Sequence, residues 1–398
     1  MTRVATSWLV YRLTRSEFLL GLIGFTAQLP TFLLAPLGGV WADRLDRRSV
    51  LTLTQILLAS QTLTMAVLTL SGRIALWEIV CLSLLQGVIN AFEIPCRNAF
   101  LVDLVEGHED WGNAIALTYS MDDLARLVGA ALAGFTISAV GEGLCFTIDG
   151  MSYLAVIASL LMMRITASRI KRNVSGVVDE LKEAWTYVSG FVPVRTILLL
   201  FAIVCFIGVP HTVLMPVFAA HLLHGGPGVF GSLMAATGVG ALISGIRLAT
   251  RRSVAGLDTI IAASAALFGV GMIIFSLSRI FWLSLLLTVA IGFGMMQQFT
   301  ASSTVIQTIV PEDKRGRVMS YWTVAYMGGV PSGSLLVGGL AQVLGAPGTL
   351  VLCGVGCVFG AAWFWGKCDE IRALINPIYK ERGFVRSEVA LKSEDTPP

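Results

Sequence analysis

An all-α membrane protein made of two six-helix bundles is what this sequence predicts, on three observations. Hydrophobic residues make up 55% of the 398-residue chain and charged ones only 13%, against about 25% charged in an average soluble domain. A chain this apolar cannot cover a water-facing surface. Apolar runs recur between polar breaks, and most approach the roughly 20 residues that cross a bilayer as a helix. Lys and Arg collect on alternate breaks, as a chain threading back and forth requires.

The elements follow in order. A short start, Val4–Leu13, is counted as helix 1. The next five runs are Phe18–Val40, Val50–Leu70, Ile74–Phe92, Ala114–Val140 and Leu144–Met163. A polar linker at 165–190, amphipathic over Val177–Val188, separates them from a second set. That set comprises Ile197–Ala220, Val229–Leu248, Leu257–Leu277, Phe281–Val305, Val318–Leu344 and Gly348–Trp365. The predicted organisation is a bundle at 1–164, the linker at 165–190, a bundle at 191–366 and a tail at 367–398. Helix 1 covers about 15 Å of a core about 30 Å thick. The expectation is that Met1 is an internal start or fragment boundary, with about 20 further apolar residues upstream to complete a span.

Basic residues set the orientation. One set of breaks holds Arg44, Arg47, Arg48, Arg97, the cluster from Arg164 to Arg195, Arg247 to Arg252, Lys314 to Arg317 and the tail; the other holds Arg12, Arg15, Arg73 and Arg279. The positive-inside rule puts the first set and the C-terminus in the cytoplasm. No cleavable signal peptide is recognised at the start.

An internal repeat supports the two halves. Leu104-Val105, Gly129, Gly134 and Gly141 recur as Ile309-Val310, Gly333, Gly338 and Gly345, so the fourth and fifth helices echo the tenth and eleventh. Small residues at Gly129, Gly134, Gly333 and Gly338 let helices approach closely. Such parallel repeats are a construction principle of transporters.

Several function classes are excluded. Seven cysteines, mostly within apolar runs, give no disulfide framework, and Cys353 and Cys357 read as packing. No metal-ligand spacing, no cofactor motif and no phosphate loop is present, so the chain reads as neither an enzyme nor an ATP-driven pump. A net charge of +3 with dispersed basic residues gives no case for nucleic acid. The partners left are the bilayer, a small-molecule substrate and, as a candidate coupling ion, the proton.

Charges inside the spans are the candidate site. Glu93 and Arg97 stand four apart around Pro95, a spacing that suits an ion pair or a role in closing the cytoplasmic side. Asp122, Asp123 and Arg126 lie within helix 5, where an arginine needs a polar cavity or a carboxylate, and Asp122 can reach Arg126 along one face. Asp149 in helix 6 is a candidate proton-binding group facing Arg126, and His211 in helix 7 is a further titratable candidate.

The segment Gly39-Val-Trp-Ala-Asp43-Arg44-Leu-Asp-Arg47-Arg48 resembles the loop between helices 2 and 3 that marks the major facilitator superfamily. Trp41 stands for its leucine and Asp46 for its second glycine. The resemblance implies that Gly39, Asp43, Arg44, Arg47, Arg48 and Arg97 form a conformational latch, with Asp43 accepting from Arg97 and from helix 11 amides near Val318. Val4-Ala-Thr-Ser-Trp-Leu-Val-Tyr-Arg-Leu-Thr14, Asn90-Ala-Phe-Glu-Ile-Pro-Cys-Arg97 and Val310-Pro-Glu-Asp-Lys-Arg-Gly-Arg317 are similar to phrases of the enterobactin-exporter and secretion-effector branch. Gly129-Ala-Ala-Leu-Ala-Gly134 resembles the helix 5 motif of drug/proton antiporters, with Ala130 in place of its proline, and Ser83 occupies the arginine position of the helix 4 motif. The branch implies a monomeric exporter of a siderophore or amphipathic molecule in a bacterial cytoplasmic membrane. The alternatives are a small-nutrient importer and a truncated, transport-inactive membrane protein.

Overall fold

In the computed structural model of this chain, the described residues are 1–104, 111–163, 185–251, 253–254 and 256–382. They form helices and no strand. The first half comprises α1 (Thr2–Thr14), α2 (Glu17–Arg44), α3 (Arg47–Leu70), α4 (Leu76–Asp103) and α5 (Trp111–Met162). The second half comprises α6 (Val192–Ile203), α7 (His211–Val217), α8 (Pro227–Ala249), α9 (Leu257–Leu277), α10 (Phe281–Ile309), α11 (Glu312–Trp365) and α12 (Cys368–Glu381). Two π-helical turns, Val204–Gly208 and Phe218–Leu222, bracket α7 within one continuous span.

Nine helices among the described residues are long and apolar enough to cross a membrane. Two of them cross twice. α5 reverses at Gly141, φ 86° and ψ 170°, and α11 reverses at Gly345, φ 73° and ψ 160°. Side chains with a Cβ rarely adopt that conformation, so glycine is what permits each reversal. These two residues close the internal repeat, and their matching backbone angles make it structural. With α1 as a short first helix, these elements make the two six-helix bundles expected from the sequence.

Local sequence explains the element ends. Asp46, where the superfamily pattern has glycine, is the N-cap of α3 and accepts the Ser49 amide at 2.9 Å. The Ser49 hydroxyl and amide hold the Asp46 carboxyl below its ordinary range. Its folded value is depressed, so the cap contributes above the ordinary aspartate value and is lost as pH falls through the lowered one. Asp46→Ala is expected to cost about 1 kcal/mol and Asp46→Asn much less, read as a lowered apparent Tm of the detergent-solubilised protein.

Two boundaries differ from expectation. α4 does not end near Phe92 but runs through Pro95 to Asp103. Ties to the start of α3 support the extension: Arg47 donates to the Ala99 carbonyl at 3.1 Å, and the Cys96 thiol donates to the Arg47 carbonyl at 3.2 Å. The tail also forms a helix, α12. Its buried residues Cys368, Ile371, Ile375 and Tyr379 recur at helical spacing. Arg372 anchors it to Asp258 at 2.7 Å.

The α2–α3 turn defines one end of the molecule, termed the turn face; the other is the far face. The second arm of α5 runs antiparallel to α3, with Gly143 against Leu70 and Gly150 against Leu63. At the turn face Arg48 caps that arm, donating to the carbonyls of Leu160 at 2.8 Å and Leu161 at 2.7 Å. Cations at a helix C-terminus satisfy orphan carbonyls and the dipole together. At the far face Arg12 pairs with buried Glu142 at 3.0 Å and ties α1 to the reversal of α5.

Candidate functional site

The halves touch through glycines at the far face. A Cβ added to Gly134 on α5 would lie 2.5 Å from Gly231 Cα on α8, and one added to Gly338 on α11 would lie 2.9 Å from Gly21 Cα on α2. Gly21 and Gly231 are each the fifth residue of their helix. The two contacts are therefore related by the internal repeat. Sequence analysis singled out Gly134 and Gly338 but not their partners, whose pairing arises only when the halves are docked. Gly333 packs within the second half on the Phe206 carbonyl, whereas Gly129 has only the Met1 nitrogen nearby, at 3.7 Å.

Aromatic contacts complete the seam. Trp8 stacks on Phe230 at 6.1 Å and Tyr11 meets His221 edge-on at 5.8 Å. Among the described residues no hydrogen bond or ion pair joins the halves toward the turn face. The surface between the halves on that side, where Arg3 and Arg126 are exposed, is termed the crevice.

Three polar residues interact electrostatically on this side. Arg3 on α1 is exposed, and its electrostatic neighbours are Tyr326 on α11 and Arg126 on α5. Arg126 is likewise exposed. Arg3 makes no hydrogen bond or ion pair among the described residues. Tyr326 packs edge-on to Phe299 at 6.1 Å, and Trp322 stacks on Phe201 beside them.

Sequence analysis missed Arg3 because it placed the start of helix 1 at Val4. The structure extends α1 to Thr2, with Ser7 four residues on, on the same face as Arg3. That spacing was the available signal.

Other expected pairs differ. Asp122 meets Arg97 at 3.3 Å and not Arg126 along its own helix; Arg97 also meets Glu93 at 3.5 Å. Because α4 continues past Pro95, it carries Arg97 up to the first arm of α5. Asp149 accepts the Thr2 amide at 2.7 Å and the Thr2 hydroxyl. No hydrogen bond or salt bridge joins it to Arg126 among the described residues, because the second arm of α5 turns Asp149 toward the start of α1. In this structure Asp149 is engaged with the start of α1.

His211 is fully buried in the second half, its Nδ1 2.8 Å from the Gly208 carbonyl and its ring edge-on to Phe268. It faces a packed core and not the crevice. The side chains of Asp43, Arg44 and Asp123, together with the surroundings of Gly39, lie outside the described residues. Of the expected latch, Arg47 and Arg48 are engaged in the ties to α4 and α5 given above.

Comparison with known proteins follows from this geometry. The family model described as transmembrane secretion effector matches residues 1–370. The staphyloferrin A transporter of Staphylococcus aureus is 24% identical over 89% of this chain and 89% of its own. The multidrug efflux pump Tap of Mycolicibacterium fortuitum is 24% identical over 90% of this chain and 91% of its own. Among solved structures, a D-xylose-proton symporter superposes with a TM-score of 0.71 at 14% identity, covering 92% of this chain and 93% of that one. A bacterial homolog of the lysosomal transporter Spinster gives 0.69 at 16%, covering 92% and 93%. At these identities the structural likeness shows the fold alone. The family match, spanning both bundles, shows that the chain belongs to the transmembrane secretion effector family of major facilitator transporters.

Proposed function

We propose that this protein is a secondary active transporter that moves a small amphipathic molecule out of the bacterial cytoplasm by alternating access. Residues 1–164 and 191–366 are the two moving bodies, joined by the linker at 165–190, and the protein works as a monomer. The basic residues on the turn-face breaks support a cytoplasmic assignment for that face, so on this reading the crevice opens inward.

The glycine seam carries the reading. Its two contacts are backbone against backbone and lie at symmetric positions. Among the described residues no hydrogen bond or ion pair joins the halves there, which supports rocking of the halves about the crevice at low cost. Outward direction is supported by the efflux names of relatives such as the pump Tap.

Coupling to protons is assigned to the intramembrane carboxylates Glu93, Asp122 and Asp149, since an ionisable group held in a span marks an ion or proton route. Arg97, shared between Glu93 and Asp122, is the cation of the cytoplasmic latch.

Vesicles of known orientation test this. Everted vesicles, whose lumen corresponds to the periplasm, are expected to accumulate an amphipathic fluorescent probe when the lumen is made acid, and right-side-out vesicles to exclude it when the outside is made acid. Accumulation in right-side-out vesicles alone would show uptake instead. A gradient-independent rate would remove the proton from the cycle.

A further inference from the structure

We infer that a membrane phospholipid binds at the turn-face corner between α3 and the second arm of α5, with its phosphodiester on Arg48 and an acyl chain along Leu53, Ile56 and Leu161. This goes beyond the transport reading and needs only that the chain spans a bilayer.

A groove of about 380 Å³ lies at that corner. Asp46 and Arg48 line its turn-face end, Ser49, Leu53 and Ile56 continue it along α3, and Leu161 lines it from the end of α5. Residues four and seven apart share one helix face, so the groove runs about 10 Å down α3 at about 1.5 Å per residue. The helix Arg47–Leu70 is long and apolar enough to cross a membrane. The polar end of the groove therefore sits at headgroup level, and the exposed Leu53, Ile56 and Leu161 sit beside acyl chains.

Arg48 is the cation of the polar end. Its Nε and Nη2 are given to the carbonyls of Leu160 and Leu161, which accept hydrogen bonds but carry no formal charge. Among the described residues no carboxylate forms an ion pair with Arg48, and its Nη1 makes no hydrogen bond. Asp46 shares the rim, but its Oδ2 is held by the Ser49 amide and hydroxyl as the cap of α3. With a carboxylate so near, the corner has little excess positive charge for a multiply charged phosphate. A phosphodiester fits better, since it brings one negative charge and two free oxygens to a guanidinium.

The second half shows the same corner when the chain itself covers it. Asp258, like Arg48, is the second residue of the third helix in its half, and α12 lies over it. Arg372 donates to Asp258 at 2.7 Å and to the Thr259 hydroxyl at 3.0 Å, and the Cys368 thiol donates to the Asp258 carbonyl. Ile371 and Ile375 of α12 are buried. That helix supplies an opposite charge and an apolar cover together. Arg48 and the Leu53–Ile56 face have neither among the described residues, and a phospholipid supplies both in one molecule.

The test uses the full-length protein, delipidated in dodecyl maltoside, with phosphatidylglycerol carrying a diazirine on one acyl chain and with diacylglycerol carrying the same chains. Adducts of the phospholipid at Leu53, Ile56 and Leu161 are expected to exceed those at Ile274, an exposed residue of α9, at least fivefold. The diacylglycerol should show no such enrichment. Arg48→Gln should remove it and Arg48→Lys keep more of it. Ile56→Trp, which fills the groove and leaves Arg48 in place, should lower adducts at Leu161 at least fivefold.

Equal labelling by both probes, or parental enrichment in a folded Arg48→Gln protein, would overturn the inference. Competition by chain-free glycerophosphoglycerol at the same concentration would show an anion site without a lipid, which also overturns it. An unlabelled groove in the parent, as when the linker at 165–190 occupies it, does the same. Size-exclusion elution and apparent Tm report folding; if Arg48→Gln does not fold, the two probes on the parent and Ile56→Trp decide.

Discussion

Gly134→Ala is expected to open the far-face seam and lower transport about tenfold, whereas Gly129→Ala on the same helix should be silent. The difference lies in what each added methyl meets. At Gly134 it would sit 2.5 Å from Gly231 Cα and 3.0 Å from the Pro227 carbonyl, so backbone must move. At Gly129 the nearest atom is 3.7 Å away, an ordinary contact. Overpacking a close contact costs about 1–3 kcal/mol. Spent on one of two conformations, that energy changes their ratio by about 5- to 150-fold.

Only the state with a closed far face bears this cost, so the population moves toward the opposite opening. Spin labels at Arg73 and Ile280, exposed residues on far-face loops of the two halves, should report a longer distance in Gly134→Ala than in the parent. Gly338→Ala should do the same, because a Cβ there meets Gly21 Cα at 2.9 Å and the Glu17 carbonyl at 2.8 Å. Unchanged distances in both variants, together with parental transport, would show that the seam does not set the conformational balance.

Much of the architecture is legible in the sequence because a bilayer imposes few choices. An apolar run of membrane length must be a helix with its backbone bonds satisfied internally. Gly141 and Gly345 could be matched as turns from the repeat alone, and they hold the same backbone conformation. The extension of α4 was not legible. Proline normally ends a helix, and only the contacts of Arg47 and Cys96 with the α3–α4 junction show why this one continues past Pro95.

The site was less legible than the fold for a related reason. Asp122, Arg126 and Asp149 could be picked out as charges in apolar surroundings, but their partners depend on rotation about each helix axis. A shift of one residue turns a side chain by about 100°. Asp122 consequently belongs to Arg97 across the α4–α5 interface, and Asp149 to Thr2. Asp46 was visible only as a departure from a pattern, and its role as the cap of α3 required the turn geometry.

Arg97→Gln is expected to lower transport at least tenfold and destabilise the first bundle, with the loss partly recovered by a second change at Glu93. Arg97 bridges Glu93 at 3.5 Å, four residues away on α4, and Asp122 at 3.3 Å on α5. The Glu93 side chain is 11% exposed. Removing the cation leaves that carboxylate buried without its ion-pair partner and facing a second one. For a fully buried pair, loss of one partner costs about 3–5 kcal/mol. Here the arginine side chain is 44% exposed, so about 1–3 kcal/mol, the cost of an unsatisfied buried polar group, is the better guide.

Glu93→Gln in the Arg97→Gln background removes the stranded charge, so the double variant should be more stable than the sum of the single losses requires. A coupling of about 0.5–3 kcal/mol is the range for residues in one network. Apparent Tm gives the cycle for stability, and efflux from everted vesicles gives it for turnover. Asp122→Asn should cost less than Arg97→Gln, since Asp122 is the more exposed carboxylate, at 31% against 11%. Additive effects of Arg97→Gln and Glu93→Gln on both readouts would mean that the pair is not energetically joined, and that Arg97 serves the cycle through some other contact.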